Sequence, residues 1–72
     1  MGNVTLKDIV VKMNHNKFRF LNVNEDYSIK SISKVMTDVD SIYYTHKNKI
    51  HMKEVSWMTV DEENVVNIFW GI

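Results

Sequence analysis

The sequence predicts a small, mainly β domain: an antiparallel barrel or a strongly twisted sheet of five to six short strands. Three observations carry that prediction. Apolar and polar residues alternate with a period of two in several short runs, as in strands with one face buried. Brief clusters of Asn, Asp, Glu and Lys separate the runs, so successive strands turn back on one another. The 72-residue chain is 44% hydrophobic and 11% aromatic, which suits one folded domain with a thin core. There is no proline, and Gly2 and Gly71 are the only glycines, so nothing marks a linker within residues 1–72.

Residues 4–13 read as a first strand, with Ile9, Val11 and Met13 on one face and Leu6 and Val10 on the other. Asn14-His15-Asn16 follows as a turn, since Asn tolerates the left-handed backbone. Residues 17–23 form the second strand, in which Phe18 and Phe20 alternate with Arg19, Leu21 and Val23. The two strands make a hairpin, and Asn22-Val23-Asn24-Glu25-Asp26 leads into a loop.

Residues 28–39 support two readings. Ile29, Ile32, Met36 and Val39 stand at helical spacing with Lys30 and Lys34 opposite, and Asn24 or Asp26 is placed to cap the start. A helix here gives the order ββαβββ and the class α+β. The Ser and β-branched content favours instead a strand to Thr37, a turn at Asp38-Val39-Asp40 and a return strand.

Residues 41–46 read as a strand with Ile42 and Tyr44 against Tyr43 and Thr45. Lys47-Asn48-Lys49 turns the chain, residues 50–55 return, and 57–60 continue that strand or begin another. Asp61-Glu62-Glu63-Asn64 is a polar turn before the last strand, 65–70.

Composition narrows function by exclusion. Without cysteine, the chain forms neither disulfides nor a Cys-ligated zinc site, which suits a reducing cytoplasm. Met1-Gly2-Asn3-Val4 lacks the basic start and apolar run of a signal peptide, and runs such as Ile68-Phe69-Trp70 are too short to span a bilayer. The prediction is a cytoplasmic protein with no membrane partner. Interior glycines for a phosphate loop are missing, and no Ser, His and acid stand in a nucleophile motif. A non-catalytic protein without metal or cofactor is therefore expected.

The weaker chemical candidates have plain structural readings. His46 and His51 would face each other across a two-residue turn, but no third protein ligand for zinc stands nearby, and His15 is remote in sequence. Glu25-Asp26 and Asp38-Val39-Asp40 read as turn or capping residues rather than a cation site.

Two surfaces remain. The C-terminal strand carries bulk on both faces, Val65, Asn67 and Phe69 against Val66, Ile68 and Trp70. An edge strand with one wet face alternates cleanly, so this strand is either central or covered by another chain. Trp57, Met58, Phe69, Trp70 and Ile72 are the candidate protein-binding residues, being of the types enriched at interfaces, and the same strand suggests a homodimer. The second surface is basic and aromatic: Lys17, Phe18, Arg19, Tyr43, Lys47 and Lys49 match the chemistry that stacks single-stranded bases. Nine basic residues balanced by nine acidic ones disfavour a dedicated nucleic-acid binder.

The leading expectation is a protein-binding module that modulates or inhibits a larger host protein by masking its surface. Lys, Asn and Ile have A/T-rich codons, and their abundance suggests a phage or mobile element of a low-GC bacterium. A small nucleic-acid-binding barrel is the alternative. An oligomer that sequesters a small nucleotide is the third reading.

Overall fold

The computed structural model describes residues 4–12 and 17–72. In chain order the elements are α1 (Leu6–Lys12), β1 (Lys17–Val23), β2 (Ile29–Ile32), β3 (Met36–Thr37), α2 (Asp38–Lys47), β4 (Val55–Val60) and β5 (Val66–Trp70). The strands form one sheet in the order β2-β1-β5-β4, with β3 paired to the same strand, β1, as β2. Pairing is antiparallel except between β1 and β5, which run parallel with Phe18 opposite Val66 and Asn22 opposite Trp70. The class is α+β with strands predominating, as expected. The sheet is mixed and open rather than an antiparallel closed barrel.

The largest correction concerns residues 4–13, expected as a strand. Leu6, Ile9 and Val10 are buried at helical spacing while Val11 is 61% exposed, so the apolar stripe of α1 has a period near 3.6, not 2. Thr5 Oγ1 accepts a hydrogen bond from Asp8 N at 3.2 Å, and Leu6 N and Lys7 N donate to the carbonyls of Lys53 and His51. The expected hairpin with 17–23 therefore does not form. Met13 and the turn at 14–16 lie outside the described residues.

The second correction concerns 41–46, which belong to α2. This helix is hard to see in the sequence because its fully buried positions, Ser41 and Thr45, are polar. Their hydroxyls donate back to Thr37 O at 2.7 Å and Ile42 O at 2.9 Å, so burial leaves neither unsatisfied. Thr37 is the N-cap, accepting from Asp40 N at 3.3 Å. Asp38 and Asp40, expected in a turn, sit in the first helical turn, and His46 and Lys47 in the last, both favourable to the helix dipole.

Residues 28–39 follow the strand reading as far as Thr37, interrupted at 33–35; Ile29 and Ile32 are exposed, not a helix's buried stripe. Residues 50–54 make a loop, and the return strand begins only at Val55. Turn 61–64 forms as expected, with Asp61 Oδ1 accepting from Glu63 N and Val65 N.

Both helices pack on one face of the sheet. Leu6, Ile9 and Val10 meet Phe18, Phe20, Met36, Ile50, Val55, Val66 and Ile68, with Ile42, Tyr44, Met58 and Trp70 packed around them. The chain end is fixed by Gly71, whose φ of 118° lies in the region open to glycine. A Cβ there would stand 2.5 Å from Asn22 Oδ1 and 2.7 Å from Val23 O.

Candidate functional site

Strand alternation sends Arg19, Leu21, Val23, Trp57, Thr59, Asn67 and Phe69 to the face opposite the helices. Leu21 and Val23 are buried yet stand outside the helix-side core. Trp57 and Phe69 are register partners on β4 and β5, and their rings stack with centroids 4.8 Å apart and planes 15° from parallel. Both rings stay half-buried. This geometry suits an offset aromatic pair.

Tyr27 extends the aromatic strip from the β1–β2 connection. Its ring centroid lies 6.1 Å from that of Trp57, and the residue is 70% exposed. The turn is closed by Asn24 N donating to Ser28 O and Tyr27 N donating to Asn24 O, both at 2.9 Å. Asp26 accepts from the Ser28 hydroxyl and amide, and these bonds hold its carboxyl below the usual carboxylate range. Tyr27 itself has φ 69°, a left-handed conformation that bulky side chains avoid and Gly or Asn adopts readily. A strained, exposed aromatic with little burial in return is the kind of outlier from which function is inferred.

Beside the strip, exposed Ile29 and Ile32 on β2 pair with Val23 and Leu21 of β1. The other end is polar. Arg19 Nη1 donates to Asn67 Oδ1 at 3.3 Å and lies 4.0 Å from Asp61 Oδ2, while Asn67 Nδ2 donates to Asp61 Oδ2 at 3.4 Å. The Asp61 carboxyl is lowered from its ordinary value, first by the Val65 amide and then by Asn67, Glu63 and Arg19. Charges of both signs lie on the strands and turns of this sheet: Lys17 and Arg19 on β1, Lys30 on β2, Glu25 and Asp26 between β1 and β2, and Asp61, Glu62 and Glu63 between β4 and β5.

The two outer strands differ as well. β2 has four residues, a register irregularity opposite Asn22/Val23, and Lys30, all of which discourage further pairing. The outer edge of β4 along Trp57-Met58-Thr59-Val60 carries no charge, and its irregularity lies earlier, between Val55 and Trp57. The strip and this edge are contiguous through Trp57.

Comparison with known proteins yields no relative. No family model matches the chain, and no curated protein or solved structure is significantly similar to it.

The five expected protein-binding residues are divided by the fold. Trp57 and Phe69 lie together on the open face. Met58 and Trp70 point to the other side and pack against the core. Ile72 is exposed but tethered, its carbonyl accepting from Ser56 Oγ at 2.6 Å, beside a cavity of about 300 Å³ lined by Asn22, Lys53, Glu54, Trp70 and Gly71. Strand β5 is central, bonded to β1 and β4, so it has no free edge for a second copy.

The expected nucleic-acid set is divided too. Phe18 is 0% exposed, which removes it from base stacking. Lys17 and Arg19 belong to β1, whereas Tyr43 and Lys47 lie on α2, with Lys47 Nζ 5.9 Å from the Tyr43 ring centroid. Lys49 follows α2 at φ 58°. His46 and His51 come together, but between a helix end and a loop rather than across a hairpin. Among the described residues no three His, Cys, Asp or Glu side chains gather as a metal site.

Sequence reasoning missed Tyr27, Ile29 and Ile32 at the open face. One signal was available for Tyr27: an aromatic residue set inside the polar run Asn24-Glu25-Asp26-Tyr27-Ser28 has no strand face to fill.

Proposed function

We propose that this domain is a non-catalytic protein-binding module that masks a surface of a larger partner through the open face of its sheet. The carrying observation is the aromatic strip Tyr27–Trp57–Phe69, with a strained tyrosine at its exposed end. Trp and Tyr anchors on a sheet that also carries charges of both signs match the composition of protein interfaces, where large rigid rings contribute most of the affinity. No reacting group belongs to the strip, so recognition is what it can supply. Codon-biased composition directs the search for the partner to low-GC bacteria and their phages.

The test is capture from such a lysate with immobilised wild-type protein, Trp57→Ala and Tyr43→Ala. Tyr43 is 67% exposed on α2, away from the strip, and serves as the control. Specific capture should survive Tyr43→Ala and fail with Trp57→Ala. Equal capture by both variants refutes the assignment of the face. Self-association belongs to the same proposal, with a second copy pairing along the β4 edge; a wild-type monomer at 100 µM in light scattering would remove the homodimer from it.

A second reading, single-stranded nucleic acid on the same face, is favoured by the stacked Trp57 and Phe69 rings, with Arg19 and Lys17 further along β1 toward its start. Acidic turns at Glu25-Asp26 and Asp61-Glu62-Glu63 oppose it by repelling phosphates. Sub-micromolar binding of single strands at 150 mM salt would reverse the preference between the two.

A further inference from the structure

The imidazoles of His46 and His51 stack with centroids 4.1 Å apart and planes 21° from parallel. His46 is in the last turn of α2, and His51 lies in the loop that follows. Lys49 N donates to His46 O and Ile50 N to Thr45 O, so the chain doubles back; buried Ile50 then anchors it. The same loop holds α1. Lys7 N donates to His51 O at 3.1 Å, Leu6 N to Lys53 O at 2.9 Å, and Val55 N to Val4 O at 2.9 Å. At seven residues, α1 is too short to persist without such support.

We infer that the His46–His51 stack is an acid-sensitive latch, whose protonation releases the 48–54 loop and α1 while the sheet stays folded. Charge and solvation both act in that direction. The groups bearing on His46 are His51 from the loop and Lys7 from α1, with Lys47 next to it on α2, so every one is cationic or becomes so. Among the described residues no carboxylate forms an ion pair with either histidine. His51 Nδ1 is buried with no hydrogen-bond partner among them, and protonation would leave an N–H there without an acceptor. Loss of solvent, then His51, then Lys7, hold the His46 imidazole below its ordinary value of 6.5. The C-terminal end of α2 favours a cation at His46, but the combined direction remains downward.

The sign of the pH effect follows. His46 binds a proton more weakly folded than unfolded, so its contribution is complete above about pH 6.5 and drains as pH falls toward the folded value. Asp26 and Asp61 are both lowered and respond only in stronger acid. The interval from about pH 7 to 5 therefore spans the fall in the His46 contribution and lies above the response of these two carboxylates.

The test uses the full chain with His15→Gln throughout, so that two imidazoles remain. Imidazole titration by NMR, thermal melts and amide exchange are followed from pH 7.5 to 5.0, with His46→Gln as the comparison. The expected result is a His46 midpoint below 6.5 and a Tm that falls with acid more steeply in the parent than in His46→Gln. Exchange should accelerate first in 4–12 and 48–54, with Phe20 and Ile68 still protected. A midpoint at or above 6.5, or exchange rising equally over the sheet, overturns the latch. The parent's titration and exchange decide it even where His46→Gln does not fold.

Discussion

The two faces of the sheet are built from alternate residues of the same strands and have opposite fates. On the helix side, Phe18, Phe20, Val66 and Ile68 are sealed beneath α1 and α2. On the other side, Leu21 and Val23 are buried, the Trp57 and Phe69 rings are half-exposed and Tyr27 is exposed. A chain this short has only two helices among its described residues, and both go to one face. The main core cluster fills that face, and under the proposed function the other carries the residues for contact. Substitutions that stay on one side of the division test it.

The largest effect should come from the sealed face. Phe20, stacked on Tyr44 at 5.3 Å, loses a whole ring in Phe20→Ala, at a cost of about 3–5 kcal/mol. For 72 residues the total stability is roughly 4–11 kcal/mol, so this variant should be largely or wholly unfolded by circular dichroism. A cooperative melt near that of wild type would place Phe20 outside the core.

Next comes Gly71→Ala at the end of β5. The added Cβ meets Asn22 and Val23 in a backbone conformation that suits only glycine, and the expected loss is about 1–3 kcal/mol by urea denaturation. An unchanged midpoint would show that the chain end moves away freely. Smaller still, Thr37→Ala removes the cap of α2 and should cost about 1 kcal/mol, whereas Thr37→Ser should recover most of it.

The sequence declared those features whose signal is local. β1 is legible because Phe18 and Phe20 alternate with Arg19, and turn 61–64 because Asp61 and Asn64 are turn formers. The helices were hidden for separate reasons. In α1 the β-branched Ile9, Val10 and Val11 mimic a strand, and the loop at 48–54 that caps its first amides is more than 40 residues distant in sequence. In α2 the buried stripe is Ser41 and Thr45, which no hydropathy pattern registers. Of the face proposed for contact, Tyr27, Ile29 and Ile32 were not legible, whereas Trp57 and Phe69 were. The division of Met58 and Trp70 from them depends on the β4–β5 register, a long-range property.

Tyr27→Gly gives the smallest effect on stability and the most direct test of the division of labour. It relieves a left-handed tyrosine, worth about 1–2 kcal/mol, against roughly 0.5–1 kcal/mol for the freedom of glycine in the unfolded chain. Melting temperature and partner capture are measured on the same preparation. The account predicts a Tm at or slightly above that of wild type together with lost or greatly weakened capture. Full capture by a folded Tyr27→Gly protein would contradict it, because the strained ring would then serve neither stability nor recognition.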